Sequence, residues 1–95
     1  MGSIKRMKLK EREAVAKGFA NHRRIEIMEL LAERGEVTLE EIAEHLGIQA
    51  ATASEHTHRL VRGGHVEKRY VGRRVFHRLT ALGKQSLRFL HAIAP

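Results

Sequence analysis

The chain has 95 residues, no cysteine, no tryptophan and a single proline at its last position, and 18 Lys and Arg against 11 acidic residues give a net charge of +7. That length fits one domain and excludes a second independent one; so short a chain buries only about 60–65% of its unfolded surface, so pairing with a second copy is a natural way to enlarge its core. The missing cysteine removes disulfides, thiolate metal sites and thiol catalysis together, and the missing aspartate, with serine only at 3, 54 and 86, removes the Ser-His-Asp relay, so no enzyme and no cofactor are expected.

Residues 8–19 have helix-forming composition with sparse apolar positions at Leu9, Val15 and Phe19. Asn21 is placed to cap a second helix, in which Ile25, Met28 and Leu31 recur at helical spacing until Gly35 stops it. Thr38-Leu39-Glu40-Glu41 reads as a capping box opening a two-turn helix, with Leu39, Ile42, Ala43 and Leu46 on one face before Gly47. A further helix is predicted over 50–62, ended by Gly63-Gly64. The period then changes to two: Val66, Lys68 and Tyr70 alternate with Glu67, Arg69 and Val71, Gly72-Arg73 breaks the run, and Val75, His77 and Leu79 alternate with Arg74, Phe76 and Arg78. That pattern predicts a hairpin over 66–79. Thr80 caps a last helix whose stripe is Leu82, Leu87, Leu90 and Ile93.

The charge is unevenly placed. Residues 1–17 carry six basic and two acidic side chains, residues 18–48 three and seven, and residues 49–95 nine and two, or +4, −4 and +7. A like-sign concentration in one half is the footprint of a face that binds a polyanion. Residues 1–7 read as a flexible basic N-terminus, and the cations Lys5, Arg6, Lys8 and Lys10 are followed by no apolar segment of a signal sequence. No run approaches the roughly 18–20 apolar residues of a membrane span, so a soluble, cytoplasmic chain without membrane partners is expected.

Thr38 to Leu60 supplies what a helix-turn-helix requires: small Ala43 where two helices meet, Gly47 at a left-handed turn, and Ile42, Leu46, Ile48, Ala53 and Leu60 for the shared interior. The hairpin that follows makes it winged. The expected class is mainly α with a β-hairpin wing (α+β), one winged helix-turn-helix domain over 1–95. From about Phe19 to Leu87 the chain resembles the ArsR-type winged helix-turn-helix regulators, with MarR-like features. The likeness runs through the stretch from Phe19 to Met28, the stretch from Leu46 to Ser54, the Gly72-Arg73 wing and the stretch from Arg78 to Gly83. Thr57, where the family usually has leucine, and Ala53, smaller than its usual valine, depart from the pattern and predict a looser motif interior.

The resemblance implies a cytoplasmic, homodimeric repressor that places the helix over 50–62 in the major groove of double-stranded DNA and touches backbone or minor groove with the hairpin tip. With Ala53 facing the core at about 100° per residue, Thr57 and Leu60 follow it inward. Ala51, Glu55, His58 and Arg62 then project outward, flanked by Ser54 and Arg59. Ala51 can meet a thymine methyl, Ser54 any polar edge, Glu55 a cytosine amine and His58 a purine edge. Arg59 and Arg62 suit phosphate, Thr38 and Gln49, with Thr52, mark helix starts where backbone N–H groups can position a phosphate, and Arg69, Arg73 and Arg74 are the wing candidates.

Leu9 and Val15 of the first helix, with Leu82, Leu87, Leu90 and Ile93 of the last, form the expected dimer surface, so the operator is expected to be palindromic. Many ArsR-type proteins sense metals, yet their thiolate site has no cysteine here and the helix after Thr80 holds His91 as its one histidine. His56 and His58 are two apart on a helix and cannot share an ion, and Glu41 with His45 suits a surface pair. His56 and His77 are expected to be structural. No metal site is therefore predicted. A metal-responsive repressor using His and Glu ligands, for instance His77 with His91 across a dimer, stands as the alternative, beside a winged-helix module that binds protein or RNA.

Overall fold

The computed structural model describes residues 7–93, so all of the predicted basic N-terminus except Met7 lies outside the described residues. The chain runs α1 (Leu9–Phe19), α2 (His22–Arg34), β1 (Glu36–Thr38), α3 (Leu39–Leu46), α4 (Ala50–Arg62), β2 (Val66–Val71), β3 (Arg74–Leu79) and α5 (Ala81–Ile93). This is the expected winged helix-turn-helix with one addition. The sheet has three antiparallel strands in the order β1-β3-β2, with Val37 opposite His77 and His77 opposite Lys68. β1 is too short for a two-residue period to be visible in sequence, and it covers the edge of β3 that a bare hairpin would leave open.

Local chemistry sets the boundaries. Asn21 Oδ1 accepts from the N–H groups of Arg23 and Arg24 at 2.9 and 3.3 Å, and α2 stops at Gly35 with φ 87°. Thr38 Oγ1 accepts from the Glu41 N–H at 3.2 Å, and Glu41 Oε1 accepts from the Thr38 N–H at 2.8 Å. These bonds hold the Glu41 carboxyl below its ordinary range, the backbone one foremost. Gly47 turns the chain from α3 toward α4 at φ 66°, ψ 36°. Thr80 Oγ1 accepts from the Gly83 N–H at 3.0 Å to open α5.

Ile27, Met28, Leu30 and Leu31 of α2 run through the centre of the core, against Ile42 and Leu46 of α3, Ala53 and Leu60 of α4, Val37, Val66 and Leu79 of the sheet, and Leu87 of α5. Thr57 and Ala53, the departures that predicted a loose interior, are both buried, and the Thr57 hydroxyl donates to the Ser54 carbonyl at 2.9 Å. The motif interior is therefore closed, with its one hydroxyl satisfied.

α1 crosses the C-terminal end of α4 so closely that a Cβ on Gly18 would lie 3.2 Å from Gly63 Cα. His65, fully buried, fastens this crossing. Its Nε2 lies 2.9 Å from the Val15 carbonyl, so that nitrogen carries the proton, and its ring meets Phe19 edge-on at 5.1 Å. Its main chain donates to Leu60 O at 2.9 Å and accepts from Thr80 N at 3.0 Å. Burial pushes its pKa below the ordinary histidine range, which keeps the ring neutral.

Candidate nucleic-acid interface

α4 presents the outward face that its periodicity predicts. Ala51, Thr52, Ser54, Glu55, His58, Arg59 and Arg62 are all exposed, while Ala53, Thr57 and Leu60 are buried beneath them. Gln49, the residue preceding α4, makes no side-chain cap, so no side chain of its own engages the helix's first N–H groups. The start of α3 is different. Thr38 is buried and its hydroxyl is taken by Glu41, whose carboxylate already occupies the positive end of that helix. The Thr38 hydroxyl and N–H are thus already engaged within the chain, whereas no side chain of Gln49 covers the N–H groups that open α4.

Strand alternation divides the wing into two faces. Lys68, Tyr70 and Arg73 lie on the side of α4: Lys68 borders one concavity with Ala51, Ser54, Glu55 and His58, and with Tyr70 and Arg73 it borders a second that reaches Ser54 and Thr57. Arg69 lies on the far face, where Nε and Nη2 donate to the two Glu36 oxygens at 2.9 and 2.7 Å. This bidentate bond, first among its causes, holds the Glu36 carboxyl below its ordinary range. Arg74 shares that face, its guanidinium 5.0 Å from the Phe76 ring centre with Arg69 at 5.2 Å, and Arg78 pairs with Glu67 at 2.7 Å. Of the three expected wing arginines, Arg73 alone faces the recognition side. Lys68 and Tyr70, which occupy the inward phase of β2 but extend past the core edge, were not expected there. The alternation itself placed Lys68 and Tyr70 on the same phase as buried Val66, and that signal was available in the sequence.

The expected dimer residues also divide. Val15 and Leu87 are buried within the protomer, Leu82 and Leu90 are half-buried, and Leu9 and Ile93 are 75% and 62% exposed. Val15 and Leu87 are thus corrected to core residues. Phe89, 59% exposed, joins the outer stripe in their place.

The histidines do not assemble. His77 is 2% exposed, with its pKa pushed below the ordinary range by burial first and the Lys68 charge second. His91 sits on the surface 3.2 Å from Glu29, whereas His77 is enclosed within the protomer. Among the described residues, no three His, Cys, Asp or Glu side chains converge as metal ligands would. Among the same residues, no helix is long and apolar enough to cross a membrane.

A helix-turn-helix whose second helix exposes a polar, basic face, with a hairpin beside it on the same side, defines a winged helix-turn-helix domain. The IclR helix-turn-helix domain family matches residues 22–69. The chain is 43% identical over 65 residues to the HTH-type transcriptional regulator Rv0324 of Mycobacterium tuberculosis, matching over 68% of its own length and spanning 28% of that protein. It superposes with TM-score 0.82 on the homodimeric winged helix-turn-helix DNA-binding domain of Mb0332 from Mycobacterium bovis, a possible ArsR-family transcriptional regulator, at 34% identity over 90% of this chain and 79% of that one. The transcriptional repressor BigR of Xylella fastidiosa gives TM-score 0.75 at 29% identity, over 90% of this chain and 88% of the other. The chain belongs to the ArsR-type winged helix-turn-helix transcriptional regulators.

Proposed function

We propose that this chain is a sequence-specific double-stranded DNA-binding repressor of transcription, acting in the cytoplasm as a homodimer by occluding a promoter, without catalysis. One observation carries the reading: the exposed face of α4 at Ala51, Glu55, His58 and Arg62 continues into Lys68, Tyr70 and Arg73 of the wing. A helix with an adjoining basic hairpin suits a major groove and the backbone beside it. Leu9, Leu90 and Ile93, with Phe89, supply the apolar surface for a two-fold pairing of terminal helices, and the homodimeric mycobacterial domain supports that assembly. Two copies of α4 about 34 Å apart would read a palindrome with half-sites one helical turn apart.

Competition binding among duplexes of differing sequence tests the roles within the face. His58→Ala flattens the preference among duplexes, and Arg73→Ala weakens all of them about equally. The reverse pattern would mean that helix and wing have exchanged roles.

A further inference from the structure

α4 has two flanks, and only the one at Ser54 faces the wing. The other flank faces the corner where α1 ends and α2 begins, across an open crevice lined by Ala14, Lys17, Gly18, Arg59, Arg62 and Gly63. Its walls are cationic. Behind it Arg24, 9% exposed, donates from Nη2 to the Lys17 carbonyl at 3.3 Å, while its Nε is buried without a partner. The buried Nδ1 of His56, on the same flank of α4, also lacks one. The nearby carboxylates only partly offset these charges: Glu13 pairs with Lys17 at 3.2 Å and Glu26 with Arg23 at 3.1 Å, and Glu55 acts on His56. Among the described residues, Arg24, Arg59 and Arg62 have no carboxylate within ion-pair distance.

Arginines gathered without counter-charges, beside a buried N–H that lacks an acceptor, suit an oxyanion. The geometry favours a phosphodiester, because Arg62 borders both this crevice and the outward face of α4. A major groove is bounded by two phosphate backbones, and a helix lying in it with a wing over one strand turns its other flank to the second. We infer that the α1–α2 corner grips a phosphate of the strand opposite the wing, Arg59 and Lys17 making the contact and Arg24 acting as a positioning residue through the Lys17 backbone. The inference rests on the DNA-binding reading above and extends the interface to a helix outside the helix-turn-helix.

The test uses a bound duplex in which single phosphates are replaced by neutral methylphosphonates, titrated with the wild-type chain and with Arg59→Gln, Lys17→Gln and Arg73→Gln. Lys17 and Arg59 are exposed, so these substitutions leave the core intact. Neutralising one phosphate on the strand away from the wing should weaken wild-type binding by about threefold or more, the loss expected of one backbone contact. That phosphate should matter less to Arg59→Gln and to Lys17→Gln, each of which keeps only one of the two cations, and should matter undiminished to Arg73→Gln. If Arg59→Gln and Lys17→Gln bind as wild type while Arg73→Gln is impaired, DNA binding stands and the corner inference is overturned. If inorganic phosphate alone saturates the crevice in an Arg59-dependent way while Arg59→Gln keeps full DNA affinity, the site takes a free anion and the inference is likewise overturned. A wild-type chain that binds no duplex defeats the DNA reading itself.

Discussion

The division of the wing into two faces makes a sharp prediction about two neighbouring cations. Lys68 and Arg69 are adjacent in β2 and both cationic at neutral pH, but strand alternation turns them to opposite faces. Lys68 lies beside Ser54, Glu55 and His58 of α4, whereas Arg69 is turned away and held by both oxygens of Glu36. A cation that contacts a phosphate releases a counterion on binding, and each such contact adds about 0.9 to the steepness of log affinity against log salt. Lys68→Ala in both protomers of a dimer removes two contacts. Between about 50 and 200 mM salt each contact accounts for a roughly 3.5-fold fall in affinity, so the variant should lose about 12-fold less affinity over that range than the wild type. Arg69→Ala should leave the slope unchanged, because its charge is already matched by Glu36 on the far face. Fluorescence anisotropy with a labelled duplex at four or so salt concentrations measures both slopes. A shallower slope for Arg69→Ala with an unaltered one for Lys68→Ala would refute the assignment of faces.

Other consequences concern stability and assembly. His65, His56 and His77 all have pKa values held below the ordinary range, chiefly by burial, so the unfolded chain binds more protons than the folded one at mildly acidic pH. Their contribution is complete above about pH 6.5 and is lost as the pH falls below it. Denaturant midpoints should therefore drop on acidification, and less steeply in His65→Gln; a flat profile would contradict the burial of these rings. Gly83→Ala would set a Cβ 2.1 Å from the His65 carbonyl oxygen, which the backbone cannot accommodate without moving α5. A loss of about 3 kcal/mol or more, the upper end of what overpacking costs, is expected in thermal unfolding, and an unchanged melting temperature would argue against the contact. Ile93→Glu places a charge on the exposed outer stripe without touching the protomer core, and sedimentation should show monomers. A dimer in that variant would move the interface elsewhere.

The helices and the hairpin were legible in sequence because their signals are local. Asn21, Gly35, the Thr38–Glu41 box, Gly47 and Thr80 each act within four residues, and in the structure each stands at the boundary it was expected to set. The recognition face was legible as well, since one inward residue, Ala53, fixes the phase of a whole helix. What escaped depends on partners distant in the chain. β1 is defined by its pairing with β3 some forty positions later, Val37 opposite His77. His65 follows two glycines and looks like a turn residue until α1 is laid over it, fifty positions away, with the Val15 carbonyl at its ring. Arg69 reads as a wing cation because a sequence does not show Glu36 across the sheet. Val15 and Leu87 looked like surplus apolar stripe because the depth of the protomer core appears only when the helices are packed. The net charge of residues 49–95 points to the half of the molecule that holds α4 and the wing but does not separate the cations that face α4 from those turned away.

Sequence-specific reading of duplex DNA by a dimer can be measured by selecting bound duplexes from a random double-stranded pool. Enrichment of a palindrome whose half-sites are centred about one helical turn apart is expected, as two α4 helices related by a two-fold axis require. Recovery of no preferred sequence would contradict that reading.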